Sequence, residues 1–302
     1  MSILVTGASG FLGSHLVEKL AANGQSIVAI SLNPTEEQLT ADSNIRWVKM
    51  DLLRDDLDLS VLSEIESVFH LAAVKEISSV ENECVFLDSN EKITLKLIHA
   101  FANLPVKVIF ASSQMVYGDP GSKTVNEDFP LLGMNTSAYA CSKLNAENWM
   151  RFMQLRYGGS FISLRFCGFI EGGGNIDYII DHALRNEPIE LYSKGVVCRD
   201  YLSASDGIEA FLLALSYQMD SGYEVFNIGS GNVVSTSEIA KLICDTLESN
   251  SKIILSDRKS PRSDFVYDIS RAVDKLGFVP KDLRASIKEY ALERKKIKNQ
   301  YE

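Results

Sequence analysis

Residues 3–13 read Ile3-Leu4-Val5-Thr6-Gly7-Ala8-Ser9-Gly10-Phe11-Leu12-Gly13, an apolar run followed by three glycines at intervals of three. A helical pattern begins at Phe11 and stops at Gly24, a usual residue just past a helix C-terminus. Glycines between a strand and a helix allow a tight turn, and the helix N-terminus offers its N–H groups to a pyrophosphate. The stretch therefore predicts a dinucleotide site, against the simpler alternative of a plain glycine-rich turn.

Short apolar runs alternate with helical patterns through the first half of the chain. The runs are Ile3–Thr6, Ile27–Ser31, Ile45–Lys49, Val68–Leu71, Val106–Ala111 and Phe161–Phe166. This alternation favours βαβ units, and continuous apolar runs are typical of strands covered on both faces. We expect an α/β fold: a Rossmann-type doubly wound parallel sheet with a smaller C-terminal substrate-binding lobe. The predicted dinucleotide-binding domain spans residues 1–165, with about 199–228 returning to it, and the smaller lobe comprises 166–198 and 229–302.

The composition is that of an ordinary globular protein, with 302 residues of which 46% are hydrophobic and 23% charged. The net charge of −10 argues against a nucleic-acid partner, since such binding relies on basic residues that displace counterions. The five cysteines are scattered without a C-x-x-C pair, which predicts neither disulfides nor a metal site. No apolar run reaches the ~18 residues of a membrane span, and no signal peptide is evident, so we expect a cytoplasmic protein without a membrane partner.

Two later helical stretches are apolar over more than one stripe. They are Ile93–Phe101 and the segment from Trp149 to Leu155. Packing on the sheet accounts for one apolar side of each helix. A second subunit would cover the other side, although a loop from the smaller lobe would serve equally well. Of these two we favour a homodimer.

The second strand ends in Ser31-Leu32-Asn33, where a carboxylate that binds the adenosine ribose is usual. Neither a carboxylate nor an arginine stands there, so the choice between NAD and NADP is open, with NAD slightly favoured. Asp51 and Leu52 follow the third strand and are predicted to contact the adenine edge. An ordinary helix N-cap is an equal alternative for Asp51.

A tyrosine and a lysine stand four residues apart in Tyr139-Ala140-Cys141-Ser142-Lys143, so they share one face of a helix. An ammonium beside a phenol favours the phenolate, which makes Tyr139 a candidate general base. Ser113 closes the strand that starts at Val106, and open α/β sheets bind ligands at the carboxyl ends of their strands. Its hydroxyl is predicted to orient a substrate oxygen. The plain alternatives are a surface pair for Tyr139 and Lys143 and a turn for Ser113.

Together these motifs resemble the extended short-chain dehydrogenase/reductases of the NAD(P)-dependent nucleotide-sugar epimerase/dehydratase family, and within it the UDP-galactose 4-epimerase branch. The matching segments run in family order from residue 3 to about residue 280, and they are Gly7-x-x-Gly10-x-x-Gly13, His70-Leu71-Ala72-Ala73, Ser112-Ser113-Gln114-Met115-Val116-Tyr117-Gly118, Tyr139-x-x-x-Lys143, Arg199-Asp200-Tyr201, Asp206 and Asn227-Ile228-Gly229-Ser230-Gly231. The resemblance implies that Ser113, Tyr139 and Lys143 form the catalytic triad, with Lys143 also holding the nicotinamide ribose.

The resemblance and the strand ends together give a set of predicted contacts. Cofactor contacts are expected at Gly7, Gly10, Phe11, Leu12, Gly13, Ser31, Asp51, Leu52, Leu71, Ala72, Ala73, Lys75, Asn90, Tyr139 and Lys143. Substrate contacts are expected at Ser113, Asn175, Arg199 and Arg262. Arginine suits the phosphates of a nucleotide sugar because its guanidinium binds them in bidentate fashion. For either arginine, a solvated surface charge is the plain alternative.

Two departures from the family pattern narrow the activity. The 4,6-dehydratases carry Asp-Glu where this chain has Gln114-Met115, and the nucleotide-sugar decarboxylases carry the second of these carboxylates. Without a carboxyl group there, elimination of water lacks its acid and base, so both activities are set aside. Many epimerases have an asparagine where this chain has Gly168, which removes one expected substrate contact.

The resemblance implies a nucleotide-sugar 4-epimerase. The Tyr139 phenolate would take the C4 hydroxyl proton as hydride leaves C4, Ser113 would steady the oxygen, and hydride would return to the other face. The alternative is an NAD(P)H-dependent reductase of a nucleotide-bound 4-keto-6-deoxysugar, which runs one half-reaction. A non-catalytic dinucleotide-binding regulator is a third hypothesis, disfavoured because the tyrosine and lysine are both present. By the same analogy, a role in carbohydrate biosynthesis is expected, with the nucleotide and sugar left open.

Overall fold

The computed structural model describes residues 2–40, 44–57, 64–74, 83–121, 123–219, 222–260 and 263–301. Its strands are β1 (Ser2–Thr6), β2 (Ile27–Ser31), β3 (Ile45–Lys49), β4 (Ile65–His70), β5 (Lys107–Ser113), β6 (Thr124–Val125), β7 (Ser160–Phe166), β8 (Gly168–Phe169), β9 (Ile189–Leu191), β10 (Cys198–Arg199), β11 (Tyr201–Leu202), β12 (Tyr223–Ile228), β13 (Val234–Ser235), β14 (Ile253–Leu255) and β15 (Val266–Tyr267). Its α-helices are α1 (Phe11–Ala22), α2 (Glu36–Thr40), α3 (Lys92–Phe101), α4 (Ala138–Tyr157), α5 (Asn175–Arg185), α6 (Ala204–Ser216), α7 (Thr236–Leu247), α8 (Ser270–Leu276) and α9 (Leu283–Tyr301).

Seven parallel strands form the central sheet in the order β12-β7-β5-β4-β1-β2-β3. The chain runs outward from β1 to β3 and then crosses back to β4, so the direction of winding reverses between β1 and β4. A reversal of this kind opens a crevice at the carboxyl ends of the strands. The doubly wound parallel sheet expected from the sequence is confirmed, with each predicted strand placed within three residues of its expected bounds.

Helices cover both faces of the sheet. The helices α1 and α6 pack on one face through residues such as Leu16 and Phe211, and α3 and α4 pack on the other through residues such as Leu97 and Met150. Burial from both sides explains why every residue of β1 and β2 is buried. With the helices packed in this way, the first residues of α1 and of α4 lie at the edge of the sheet where the strands end.

The last third of the chain builds a separate apolar cluster from α5, α7 and α9, which includes Ile179, Ile243 and Ile287. Short pairs of strands connect its loops: β6 with β15, β8 with β11, β9 with β14 and, antiparallel, β10 with β13. One strand of this part, β12, joins the central sheet beside β7. The lobe boundaries given above stay a prediction.

One face of α4 is uncovered. Met150 and Met153 are buried, whereas Trp149, Phe152 and Leu155 are exposed, Leu155 over 78% of its surface. The rings of Trp149 and Phe152 meet edge to face with their centres 5.8 Å apart. The homodimer expected from this apolar face stays a prediction. Within the described ranges, no helix is both long and apolar enough to cross a membrane.

Candidate active site

A cavity of about 1180 Å³ runs along the carboxyl ends of the central strands and reaches α5 and β9. Its walls are the glycine-rich turn after β1, the ends of β2, β5 and β7, the first turns of α4, and loops of the last third of the chain. A pocket for one small ligand typically measures roughly 300–1,000 Å³. The cavity is therefore larger than a typical site for one small ligand.

The glycine-rich turn is as tight as the sequence predicts. Gly7 has a φ of +69°, and a Cβ there would lie 2.7 Å from the backbone nitrogen of Ala72. A Cβ on Gly13 would lie 2.1 Å from the carbonyl oxygen of Gly7, so neither position accepts a side chain. The described first turn of α1 has no acidic residue. Its N-cap is Gly10, which has no side chain to accept hydrogen bonds from the first N–H groups of the helix. This helix start fits a pyrophosphate, which its N–H groups and dipole would stabilise.

One end of the cavity is lined by Ser31, Leu32, Asp51 and Leu52. The hydroxyl of Ser31 lies 2.6 Å from that of Ser9 and accepts a hydrogen bond from the backbone N–H of Asn33. Asp51 accepts a hydrogen bond from the backbone N–H of Leu53, so it stabilises a turn. The helix N-cap considered for Asp51 is therefore wrong, because residues 52–54 form a turn rather than a helix.

Ser113, Tyr139 and Lys143 all line the cavity. Ser113 is the last residue of β5, and its Oγ accepts a hydrogen bond from the backbone N–H of Met115 at 3.2 Å. Tyr139 and Lys143 lie one turn apart on α4. The Nζ of Lys143 is 5.8 Å from the centre of the Tyr139 ring and donates to the carbonyl oxygen of Ala111 at 2.9 Å. A hydroxyl, a phenol and an amine thus share one cavity.

Lys143 is only 4% exposed. Burial lowers the pKa of Lys143 from its ordinary 10.5 to about 7, and the nearby carboxylate of Glu147 opposes that shift. The Nζ also lies 4.6 Å from the centre of the Phe110 ring, where the ring face favours the charged form. Lys143 is therefore held where it can be either charged or neutral near pH 7.

Asn90 lies behind the cavity wall. Its side chain accepts a hydrogen bond from the backbone N–H of Val74 at 2.7 Å and donates to the Val74 carbonyl and to the Ser142 hydroxyl, each at 3.1 Å. Val74 lines the cavity, and Ser142 lies on α4 between the two predicted catalytic residues. These bonds connect the cavity wall to α4. The direct cofactor contact expected for Asn90 stays a prediction.

The other described residues predicted for the site line the cavity. They include Gly10, Phe11, Leu12, Leu71, Ala72, Ala73, Asn175 and Arg199. Asn175 is the first residue of α5, and Arg199 donates from Nη1 to the carbonyl oxygen of Ser263 at 3.2 Å. Lys75 and Arg262 lie outside the described residues.

The residues at which the chain departs from the family pattern differ in whether they line the cavity. Met115 lines the cavity next to Ser113, whereas Gln114 is buried away from it. Gly168 lines the cavity, and a Cβ there would come within 3.2 Å of the Tyr201 ring. A side chain at residue 168 would therefore require the Tyr201 ring to shift.

The cavity wall also contains three tyrosines for which no contact was predicted, Tyr178, Tyr192 and Tyr201. The Arg-Asp-Tyr motif was a signal for Tyr201. The other two lie on α5 and in the turn after β9, where no pattern of spacing marks a ligand contact.

The family model described as "NAD dependent epimerase/dehydratase family" matches residues 3–229. A Methanocaldococcus jannaschii protein, provisionally named a UDP-glucose 4-epimerase, is 30% identical over 95% of this chain and 96% of its own length. The dTDP-4-dehydro-6-deoxyglucose reductase of Escherichia coli is 26% identical over 92% of each chain. The solved UDP-glucuronic acid 4-epimerase of Bacillus cereus, in complex with UDP-glucuronic acid and NAD, is 25% identical with a TM-score of 0.84, covering 97% of this chain and 99% of its own.

The family match spans the glycine-rich turn, the end of β5 and the start of α4, which are the segments that build the cavity. The relatives are similar to this chain over nearly its whole length. This chain belongs to the NAD-dependent epimerase/dehydratase family and is an enzyme of that family.

Proposed function

We propose that this chain is an NAD(P)-dependent nucleotide-sugar 4-epimerase. The observation that carries the proposal is that Ser113, Tyr139 and Lys143 line one cavity together with the glycine-rich turn. The cavity is larger than a typical site for one small ligand, which supports the binding of a dinucleotide together with a nucleotide sugar. The Bacillus cereus 4-epimerase, which is similar over nearly all of this chain, was solved with both kinds of ligand.

The dinucleotide would lie along the strand ends. Its pyrophosphate would sit on the turn between Gly7 and Gly13, and its adenosine would lie between Ser31 and Asp51. Tyr139 and Lys143 would hold the nicotinamide ribose. When bound, the dinucleotide accepts a hydride from C4 of the sugar and gives it back. NAD is favoured over NADP because NAD is the cofactor in the Bacillus cereus structure.

Three side chains would transfer the C4 hydroxyl proton and stabilise the C4 oxygen. Tyr139 would take the C4 hydroxyl proton and later return it. Lys143, one turn away, would stabilise the phenolate when it carries its proton. Ser113 would donate a hydrogen bond to the C4 oxygen as the negative charge on it grows.

The substrate's nucleotide would lie against the last third of the chain. Asn175 and Arg199 line that part of the cavity. The guanidinium of Arg199 suits a diphosphate. We propose the same contact for Arg262.

A second candidate is an NAD(P)H-dependent reductase of a nucleotide-bound 4-keto-6-deoxysugar. Two observations favour it: the Escherichia coli relative is named a dTDP-4-dehydro-6-deoxyglucose reductase, and no acid stands in Ser31-Leu32-Asn33, where a carboxylate would exclude a 2′-phosphate. The same three side chains would serve, because Tyr139 then delivers a proton to the C4 oxygen.

We also propose that two copies of the chain pair through the exposed face of α4. Trp149, Phe152 and Leu155 form an apolar surface on one helix face, which is the kind of patch that a symmetric dimer buries.

The deciding experiment is release of bound cofactor from freshly purified protein by denaturation, with identification by mass. The protein is then incubated with UDP-glucose, UDP-galactose and UDP-glucuronic acid, and products are separated by chromatography. Retained NAD(H) with interconversion at C4 supports the epimerase. An empty protein that oxidises NADPH only in the presence of a 4,6-dehydratase product overturns it in favour of the reductase.

A further inference from the structure

A buried carboxylate stands on the same helix as the proposed acid/base pair. Glu147 lies one turn after Lys143 on α4 and is 2% exposed. Its carboxylate accepts hydrogen bonds from the Ser112 hydroxyl at 2.5 Å and from Arg165, at 3.0 Å from Nε and 2.6 Å from Nη2. No step of the proposed reaction uses it.

These contacts fix α4 against the strand that carries Ser113. Ser112 pairs with Arg165 across β5 and β7, so both side chains rise from the same face of the sheet towards Glu147. One turn earlier on α4, Lys143 donates to the carbonyl of Ala111. Two successive residues of β5 are therefore tied to two successive turns of α4, and the next residue of β5 is Ser113. The double attachment therefore ends one residue before Ser113 on β5 and begins one turn after Tyr139 on α4.

Glu147 also supplies negative charge to the site. Among the described residues, the titratable groups placed near Lys143 are Tyr139 and Glu147 on its own helix and His70 on β4, and Arg165 on β7 pairs with Glu147. Arg165 is paired with Glu147, and its Nη1 also donates to the Tyr117 hydroxyl at 2.7 Å. Burial lowers the pKa of His70 to about 3, so this ring is neutral near pH 7. Glu147 is thus the carboxylate that opposes the loss of the Lys143 proton.

Stability alone gives no reason for such a pair. Removing two charges from water is costly, and replacing a buried ion pair by apolar residues is often neutral or stabilising. A pair that is dispensable for stability can still be required for the alignment and charge of its neighbours.

We propose that Glu147, paired with Arg165, is a positioning residue of the proposed reaction: it sets the register of Tyr139 and Lys143 against Ser113 and keeps Lys143 charged. The inference rests on the proposed function, because it acts through the same acid/base pair.

The test compares Glu147→Gln, the apolar double variant Glu147→Leu/Arg165→Met, and the control Glu127→Gln. Glu127 is a largely buried carboxylate that accepts from the Asn227 N–H and pairs with Arg271. Its hydrogen bond from Arg165 goes to the backbone carbonyl, which the substitution keeps. We expect both Glu147 variants to lose kcat by about ten- to a hundredfold while KM and cofactor affinity hold, since small misalignments of reacting groups are that costly. The control should keep its turnover within twofold.

The pH profile separates positioning from mere support. Without Glu147, Lys143 loses its proton at a lower pH, and the neutral amine no longer stabilises the Tyr139 phenolate. The falling limb of the kcat profile should therefore move to lower pH while the plateau falls.

Three results would overturn the inference: a double variant with wild-type melting temperature and turnover, an unmoved pH profile, or failure of both Glu147 variants to fold. Tyr139→Phe is assayed in parallel. If that variant keeps full activity, the proposed mechanism fails; if it is inactive while the Glu147 variants are active, only this inference fails.

Discussion

Lys143 and Tyr139 lie one turn apart on α4, with the lysine Nζ 5.8 Å from the centre of the tyrosine ring. The start of this helix is fixed by Ser137, whose Oγ accepts the backbone N–H of Ala140 at 3.1 Å. Tyr139 therefore lies in the first turn, where the positive end of the helix dipole adds to the lysine charge in favouring a phenolate. One capped helix end thus places both groups at the cavity.

Replacing Tyr139 with phenylalanine removes the proposed acid/base and leaves the ring in place. We expect kcat to fall by about 10²- to 10⁴-fold, the usual contribution of a positioned acid/base group. Dinucleotide affinity, measured by calorimetry, should change little because the glycine-rich turn is untouched. The matched control is Tyr157→Phe at the exposed end of the same helix. Turnover of Tyr139→Phe equal to that of this control would rule out the acid/base role.

His70 is predicted to make the fold sensitive to acid. It is fully buried between the Thr6 and Thr94 hydroxyls, at 2.8 and 2.9 Å. Burial, aided by the charge of Lys143, lowers its pKa from the ordinary 6.5 to about 3, so the folded chain binds fewer protons than the unfolded one between these values. The free energy of unfolding should therefore fall as pH drops from 6.5 towards 3.

Urea titrations at pH 7 and pH 4.5 check this expectation. The stability difference between wild type and His70→Gln should shrink at the lower pH, because the variant has no proton to gain. The exposed His99, replaced by glutamine, serves as control and should show no such narrowing. If the difference in free energy of unfolding between wild type and His70→Gln is the same at both pH values, the lowered pKa of His70 is contradicted.

The sheet and the glycine-rich turn could be predicted because their signals are local. A strand buried on both faces is apolar at nearly every position, as in β2, where the first four of five residues are apolar. Gly13 is needed because the carbonyl of Gly7 lies against it. The spacing of Tyr139 and Lys143 is likewise a property of one helix.

Contacts between distant segments could not be predicted in this way. Asn90 carries the family pattern, yet its partners Val74 and Ser142 are brought to it by the packing of two helices and a loop. Glu147 stands four residues after Lys143, a spacing visible in the sequence, but its partner Arg165 comes from another strand. Only the fold shows that this carboxylate is buried.

The exposed face of α4 is expected to form the dimer interface. Phe152→Asp places a charge in the centre of the apolar surface formed with Trp149 and Leu155, and burial of an unpaired charge is costly. Light scattering should then report the mass of one chain for the variant and of two for the wild type. Ile297→Asp, an equally exposed apolar residue on α9, is the control and should stay dimeric. A wild-type chain that is already monomeric would refute the proposed interface.

The glycine-rich turn should tolerate no side chain at residue 13. In Gly13→Ala the new Cβ meets the Gly7 carbonyl at 2.1 Å, so the turn must open and its N–H groups must shift. We expect the dinucleotide Kd to rise by about tenfold or more, equivalent to about 1.4 kcal/mol. Gly24→Ala is the control: its φ of +77° makes it less stable by about 1 kcal/mol, but it lies at the far end of α1. If Gly13→Ala and Gly24→Ala bind the dinucleotide with equal affinity, the glycine-rich turn is not part of the dinucleotide site.

Arg199 is expected to bind the diphosphate of the substrate. Its Nη1 already donates to the Ser263 carbonyl, which holds the guanidinium at the cavity wall before a ligand arrives. Arg199→Ala should raise the Kd for UDP about 10- to 100-fold, the loss expected for a hydrogen bond to a charged group. The loss should shrink at high salt, since the contact is ionic. Arg284→Ala removes an arginine of the same part of the chain that pairs with Glu238 in solvent, and it should bind UDP like the wild type. If the two arginine variants bind UDP equally well, Arg199 is a wall residue and the phosphates are held elsewhere.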